Sequence, residues 1–225
     1  MSAELESLFS GLSSYLGLAA RFEARTAQLA APSFSVFKYI SDEDDVTRIL
    51  RDLLDPQGDH GQGSLFLRVF REQRGLTVPE PELGRATVRD QVQTPFNRRP
   101  DLLIDVPDQL VLGLENKINA ADQNEQVKDY VKFVQLRSRG RNWVFVFLTP
   151  DGRPPSPQSM PPRDREEEEK QHRFFCLSYR KEIHDWLRSC IGPCRAERVR
   201  AFVTEMSAWA RTLAPGAPME DEWPT

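Results

Sequence analysis

Two short apolar runs, joined by a Pro-Asp pair, constrain the fold of this 225-residue chain more than any other feature. The runs are Leu102 to Val106 and Leu110 to Leu114. Their lengths are typical of β-strands, and the residues between them are typical of a turn. Pro107 and Asp108 suit the central positions of a type I turn. We therefore expect a β-hairpin at this point of the chain.

The pairing register of this hairpin follows from the alternation of side chains along a strand. The apolar side chains of both runs share one face only if the numbers of paired residues add to an even value. The shortest such loop pairs Val106 with Leu110. The same register places Asp101 directly opposite Glu115, with Cβ atoms about 4.5–5.5 Å apart. Two carboxylates at this distance repel unless a cation lies between them or one is protonated.

A third charged residue joins this pair. Lys117 follows Glu115 by two residues and so projects from the same face of the strand. Carboxylate oxygens suit Mg²⁺ or Mn²⁺. Such an ion can activate a water molecule and neutralise charge on a phosphoryl oxygen. A neighbouring lysine can orient the attacking water. The pattern predicts phosphodiester hydrolysis. The alternative is a surface hairpin with solvated salt bridges worth about 0–1 kcal/mol.

These residues also carry a resemblance to a known family. Pro100-Asp101 followed by Glu115-Asn116-Lys117 resembles the PD-(D/E)xK motif of the restriction-endonuclease-like nuclease superfamily. The resemblance implies that Asp101 and Glu115 bind the metal ion, that the main-chain carbonyl of Asn116 adds a ligand, and that Lys117 assists the nucleophile. It also implies an α/β fold with an αβββαβ core and a mixed central sheet flanked by helices. Apolar stripes near both ends of the chain predict extra N- and C-terminal helices.

The segment after the hairpin has the pattern of a helix. Asp122 and Glu125 resemble a capping box at its start, and its basic end lies at Arg137 to Arg141. Three apolar residues have the spacing of one helical face: Val127, Val131 and Val134. A helix after the second motif strand is the layout that the resemblance implies.

Gln126 and Tyr130 are four residues apart on this predicted helix and share a face beside the apolar stripe. They resemble the Q-x-x-x-Y element of the RecB-like and lambda-exonuclease-like branches of the superfamily. That resemblance implies a supporting role in holding the site or the substrate strand. The alternative is an ordinary boundary pair between core and solvent.

A helix is also predicted upstream, over Asp42 to Leu54, with Ser41 as its cap. Glu43 falls on the apolar stripe of this helix. A carboxylate on an apolar face needs a partner, and a metal ion held by the hairpin carboxylates would supply one. We therefore include Glu43 among the metal-site residues. The alternative is simple stabilisation of the first turn by the helix dipole.

The next segment strengthens the resemblance. The run from Asp52 to Pro56, through His60-Gly61 to Phe66-Leu67, is similar to the N-terminal part of an uncharacterised PD-(D/E)xK family found mostly in bacteria. A second amphipathic helix is expected to begin near Ser64. His60 lies in a Gly-rich loop and is interpreted as a turn residue, with a proton relay and a phosphate contact left open.

The net charge of −4 gives no overall attraction to nucleic acid. Basic residues nevertheless cluster near the acidic site, as a phosphate backbone would require. We expect nucleic-acid contacts from four of them: Arg98, Arg99, Lys128 and Lys132. A metal-dependent DNA nuclease is the favoured function, in bacterial defence, repair or mobile-element biology, a setting that only the resemblance implies. The alternatives are an RNA nuclease and an inactive nucleic-acid-binding or scaffolding module.

Composition and length are typical of one globular domain, with 39% hydrophobic and 28% charged residues. We expect a single nuclease-like domain over residues 1–225 with its core at about 41–178, an N-terminal helix over 3–30, a mobile Pro- and Glu-rich loop over 151–170, and C-terminal helices over 179–213. Further strands are expected in three places: Ala86 to Phe96, Trp143 to Leu148 and Arg173 to Leu177.

The sequence gives no sign of a membrane segment or a signal peptide. No apolar run approaches the roughly 18 residues that a spanning helix needs. The three cysteines are an odd number, which favours a reducing compartment. We therefore expect no membrane partner and a cytoplasmic location.

Overall fold

The computed structural model describes residues 3–30, 37, 40 and 42–213. It divides the chain into two compact units, Met1–Val36 and Phe37–Thr225, where the sequence analysis expects one. In the first unit, helix α1 spans Ala3–Ala30. Among the described residues, no helix is both long enough and apolar enough to cross a membrane.

A five-stranded mixed sheet forms the centre of the second unit, with the strands in chain order across the sheet. The strands are β1 (Thr87–Asp90), β2 (Leu102–Val106), β3 (Leu110–Asn116), β4 (Asn142–Thr149) and β5 (Phe174–Ser178). The pairs β1–β2 and β2–β3 are antiparallel, whereas β3–β4 and β4–β5 are parallel. This sheet confirms the predicted α/β class with a mixed, restriction-endonuclease-like core.

Helices cover the sheet of the second unit. They are α2 (Glu43–Leu54), α3 (Leu65–Gln73), α4 (Glu80–Leu83), α5 (Gln126–Ser138), α6 (Pro162–Lys170), α7 (His184–Ile191) and α8 (Glu197–Thr212), with a π-helical turn at Tyr179–Ile183 before α7. The order of α2, three strands, α5 and β4 reproduces the predicted αβββαβ arrangement.

The hairpin has the predicted register, with Leu102 opposite Leu114 and Val106 opposite Leu110. Its turn differs in detail. The amide of Gln109 donates to the carbonyl of Val106, but Asp108 has a φ of 61°. The second central residue is therefore left-handed, as in a type II turn, a conformation that Asp tolerates.

Both faces of the hairpin are buried, including the face opposite to the apolar side chains that were used to set its register. One face contributes Leu102, Ile104, Leu112 and Leu114 to a core shared with α2, α3, α7 and α8. On the opposite face, Leu103 and Val111 pack with residues of α5. A Cβ at Gly113 would lie 2.5 Å from the side chain of Val134, so glycine is what allows α5 to approach the sheet closely. Because β3 also pairs with β4 in parallel, helices cover both faces of the sheet here, and both faces of the hairpin are therefore buried.

Two predicted helix starts need correction. The cap of α2 is Asp42, whose side chain accepts from the amide of Asp45 at 2.7 Å, and Ser41 lies outside the described residues. Asp122 does not cap α5. Its carboxylate instead forms an ion pair with Arg153 at 2.9 Å and accepts from the amide of Ser156. These contacts form because the loop that follows β4 folds back against the start of α5.

Two other segments differ from the expected elements. The first strand is only Thr87–Asp90, because the chain leaves the sheet well before Phe96. The loop expected over 151–170 forms helix α6 in its second half. Two features favour this helix over the expected mobile loop. Proline occupies the first position of α6, and Arg165 forms an ion pair with Glu169 one helical turn later.

Candidate active site

The two motif segments meet at one edge of the sheet. Strand β3 carries Glu115 and Asn116 at its end, and Lys117 follows directly. Antiparallel pairing brings the beginning of β2 to the same edge. The amide of Asn116 donates to Oδ2 of Asp101 at 2.6 Å, and Nζ of Lys117 lies 2.8 Å from Oε1 of Glu115. The structure thus brings Asp101, Glu115 and Lys117 together.

Glu115 is the most enclosed of these groups, with 1% of its surface exposed. Its Oε1 accepts from Nε2 of Gln126 at 3.0 Å and contacts Lys117. Its Oε2 is buried without a hydrogen-bond partner among the described residues. An unpaired carboxylate oxygen is costly to bury, so this atom is the strongest structural indication that the site binds a cation.

The pKa values of the two carboxyls are both raised. Burial, and then the charge of Asp101, raise the pKa of Glu115 to about 8, although Lys117 and the nearby main chain of Asp101 oppose this shift. Burial also raises the pKa of Asp101 to about 6, against the hydrogen bond from Asn116. The two groups therefore resist being ionised together, and a cation between them would relieve this repulsion.

The pKa of Lys117 is also raised, but here the neighbouring acids favour the ionised form. Burial alone lowers the pKa of Lys117, but the charges of Glu115 and Asp101 outweigh burial and raise that pKa above its ordinary value. The Lys117 side chain is 12% exposed, and its ammonium stays charged at neutral pH. The site therefore contains a fixed positive charge beside its two acids.

The donor set fits Mg²⁺ or Mn²⁺ in its chemistry. The described residues contain no group of three or more His, Cys, Asp or Glu side chains that could hold a metal ion, so the candidate ligands are two carboxylates and a carbonyl. The N–H and C=O of a strand residue point to the same strand edge, so the Asn116 carbonyl points toward the side of Asp101. One or two carboxylates completed by waters are the usual ligands of Mg²⁺.

Glu43, the first residue of α2, lies beside this edge. Its Oε1 accepts from the amides of Ile118, Asn119 and Ala120 at 2.8, 2.6 and 2.8 Å. Its charge also helps to raise the pKa of Asp101. The carboxylate therefore holds the segment that follows Lys117, and its contact with a metal ion stays a prediction.

The sequence analysis misses the role of the Asn116 side chain, which is fully buried. Its Nδ2 donates to Oγ1 of Thr47 at 3.2 Å, and its Oδ1 accepts from the hydroxyl of Tyr179 at 2.8 Å. These bonds tie the end of β3 to α2 and to the π-helical turn. Strand alternation could have revealed this role, because it puts Asn116 on the same face as Leu112 and Leu114 and opposite to Glu115.

Gln126 and Tyr130 of α5 lie on the other side of the site. Nε2 of Gln126 donates to the hydroxyl of Tyr130 at 3.2 Å as well as to Glu115, and that hydroxyl donates to the carbonyl of Arg99 at 3.0 Å. Both side chains line a groove of about 480 Å³ that runs from Phe96 along α5. The structure thus places this pair against both the acidic site and an adjoining groove.

Two of the four predicted nucleic-acid contacts, Arg98 and Arg99, line this groove. The guanidinium of Arg98 donates to Asp129, to Gln123 and to the carbonyl of Asn124. Nε of Arg99 donates to Gln93 at 2.9 Å. Both side chains already have partners, so contact with a phosphate would require them to share or exchange hydrogen bonds.

The other two predicted contacts are on the surface of α5. Nζ of Lys128 lies 3.0 Å from Glu125, and Nζ of Lys132 lies 5.2 Å from the centre of the Phe96 ring. Exposed pairs of this kind are weak, so both ammonium groups can leave them at little cost.

His60 has a structural environment. Its Nε2 lies 3.0 Å from the carbonyl of Asp55, and its Nδ1 accepts from the amide of Gln62 at 2.9 Å. Its ring packs edge-on against Phe66. These contacts hold the loop between α2 and α3, as expected for a turn residue.

A larger groove, of about 980 Å³, lies at the start of β4 around Trp143. Its lining includes Arg74, Arg141 and Arg173 but no carboxylate side chain. It therefore lacks the carboxylate ligands that usually hold Mg²⁺ at a site of hydrolysis. Of these two grooves, the smaller adjoins the candidate active site, because Gln126 lines it and donates to Glu115.

Comparison with known proteins agrees with this geometry. The family model of the PD-(D/E)XK nuclease superfamily matches residues 34–212. The chain therefore belongs to the PD-(D/E)XK nuclease superfamily, which confirms the resemblance and implies a nucleic-acid substrate. No curated protein and no solved structure matches the chain significantly.

Proposed function

We propose that this protein is a metal-dependent nuclease that hydrolyses phosphodiester bonds of DNA. The observation that carries the proposal is the buried Oε2 of Glu115, which lacks a partner among the described residues and belongs to a carboxylate next to Asp101 and Lys117. This is the arrangement that two-carboxylate sites for Mg²⁺ or Mn²⁺ require. Family membership supports the same reaction class.

In this proposal Asp101, Glu115 and the main-chain carbonyl of Asn116 would hold the ion, with Glu43 in reach directly or through one water. The bound ion would lower the pKa of a water and neutralise charge on the phosphoryl oxygen. Lys117 orients the attacking water and stabilises the charge that develops in the transition state.

The remaining residues position these groups. Gln126 holds Oε1 of Glu115, so that Oε2 keeps a fixed direction. Glu43 fixes the three residues after Lys117 through their amides. A site held on two sides by packed helices can keep reacting atoms within the small tolerance that catalysis needs.

We favour DNA over RNA, with Arg98, Arg99, Lys128 and Lys132 contacting its backbone, in bacterial defence, repair or mobile-element biology. A cytoplasmic location agrees with the chain's three free cysteines. A complete set of acidic and basic site residues argues against an inactive binding module.

The test is incubation of the purified protein with circular DNA, linear DNA and single-stranded RNA, each with and without Mg²⁺ or Mn²⁺. We expect DNA cleavage only with metal, and none by the Asp101→Asn variant. Asp108→Asn is the matched control, because it makes the same charge change on the same hairpin at an exposed turn position that suits Asn. Cleavage without metal, or equal cleavage by both variants, would overturn the proposal. Cleavage of RNA alone would reassign the substrate.

A further inference from the structure

Helix α1 exposes an unusual amount of apolar surface. Six large apolar side chains on it are each at least 50% exposed: Phe9, Leu12, Tyr15, Leu16, Leu18 and Phe22. Exposed apolar side chains concentrated on one helix mark an interaction surface. The match to the nuclease superfamily begins at residue 34, so α1 lies outside the matched region. The helix is therefore an addition whose apolar surface needs its own explanation.

The sequence of α1 has the repeat of a coiled coil. Apolar or small residues recur at alternating steps of three and four: Leu5, Leu8, Leu12, Tyr15, Ala19, Phe22, Thr26 and Leu29. These are the a and d positions of four consecutive heptads, the pattern that packs one helix against another. The partner that this pattern specifies is thus another helix with the same spacing.

We propose that two copies of this chain associate through α1 as an antiparallel helix pair. A two-fold axis makes the interface self-complementary, so each contact occurs twice. In the antiparallel arrangement a positions face d positions, which puts Leu12 of one copy against Tyr15 of the second copy. The same register puts Leu8 of one copy against Ala19 of the other.

The residues beside the seam favour the antiparallel direction. Gly11 of one copy then faces Leu18 of the other. Apart from its chain neighbours and the nearby backbone of its own helix, no described atom lies within 4 Å of a Cβ built at Gly11. A large side chain can therefore fit there. Phe9 faces Leu16, which adds a second apolar contact. By sequence position, Glu4 falls opposite Arg25, giving two complementary charge pairs.

A parallel pair lacks these matches. Its flanking contacts run from each g position to the e position five residues later in the other copy. Leu18 would then face Glu23, and Glu4 would face Phe9. Both contacts put an acid against an apolar side chain, so the flanking residues distinguish the two directions.

The first test is the mass of the full chain in solution, measured by sedimentation velocity over a range of concentrations. We expect twice the chain mass for the unsubstituted protein. Leu12→Glu should give a monomer, whereas Ser13→Glu, which adds the same charge outside the a and d positions, should keep the dimer. A monomer at every concentration, or a dimer that Leu12→Glu leaves intact, would overturn the proposal.

The second test fixes the direction and does not depend on weakening the pair. Leu8→Cys and Ala19→Cys variants are mixed under oxidising conditions, with the unsubstituted protein as a control for the native cysteines. The antiparallel pair predicts a disulfide only between the two different variants. In a parallel pair these positions lie about 16 Å apart along the helix, beyond disulfide reach. Disulfides formed by Leu8→Cys alone would contradict the antiparallel arrangement.

Discussion

The ammonium of Lys117 lies 2.8 Å from Oε1 of Glu115, and the amide of Gln126 donates to that same oxygen. The other oxygen, Oε2, is buried without a hydrogen-bond partner among the described residues. The carboxylate is thus fixed on one side and unsatisfied on the other. This asymmetry would aim Oε2 at a cation held jointly with Asp101.

Replacement of Lys117 by alanine should lower the cleavage rate by about 10²–10⁴-fold while metal binding is retained. The reason is that the lysine charge acts on the nucleophile and not as a ligand of the ion. Single-turnover cleavage and calorimetric metal titration measure the two effects separately. Lys181→Ala, at an exposed lysine, is the control. Near-normal cleavage by Lys117→Ala would show that the lysine only forms a structural salt bridge with Glu115.

Replacement of Gln126 by leucine should lower metal affinity or kcat by about 10–100-fold, because Glu115 loses the donor that fixes its Oε1. Gln135→Leu makes the same change at an exposed position of the same helix and should have no effect. Comparing kcat with KM separates positioning from substrate binding. If Gln126→Leu raised KM alone, the residue would belong to the substrate groove.

Two variants of Glu43 separate its structural role from a metal role. Glu43→Ala removes the acceptor of three amides and should cost about 1–3 kcal/mol in the free energy of unfolding. Glu43→Gln keeps an accepting oxygen and should weaken metal binding by less than tenfold, as expected for contact through a water. A loss as large as that of Asp101→Asn would instead make Glu43 a direct ligand.

The stability of the metal-free protein should fall as the pH rises. The pKa of Asp101 increases from 3.8 to about 6 on folding, and that of Glu115 from 4.5 to about 8. The folded state therefore binds more protons at these two groups than the unfolded state does within this range, and the stabilisation that they contribute below pH 4 is lost by about pH 8. The slope is at most about 1.4 kcal/mol per pH unit for each group.

Urea denaturation in the presence of a chelator measures this slope. Glu115→Gln should flatten the dependence above pH 6, and saturating Mg²⁺ should reverse it, because the ion binds the ionised carboxylates. A metal-free protein that grows more stable from pH 5 to pH 8 would show that the two acids are ionised together without a cation.

Much of the motif hairpin was predictable because local rules determine it. The short loop pairs Val106 with Leu110, and strand alternation then places Asp101 opposite Glu115. The helix after β3 was predictable from the spacing of Val127, Val131 and Val134. These features depend on residues close together in the chain.

The features that the sequence analysis missed depend on residues that are distant in the chain. The local sequence around Asp122 predicts a helix cap. In the structure its partners are Arg153 and Ser156, which come near it only when the chain has folded. The side chain of Asn116 finds Thr47 and Tyr179 across 69 and 63 residues. No local pattern specifies such partners, so these contacts could be found only in the structure.

Metal titration by calorimetry tests the central claim most directly, namely that Asp101 and Glu115 jointly hold the cation used in hydrolysis. Mn²⁺ is titrated into the unsubstituted protein, Asp101→Asn, Glu115→Gln and the control Asp108→Asn. We predict one binding site in the unsubstituted protein and the control, and a loss of at least tenfold in affinity for the two site variants. Unchanged affinity in both site variants would contradict the claim.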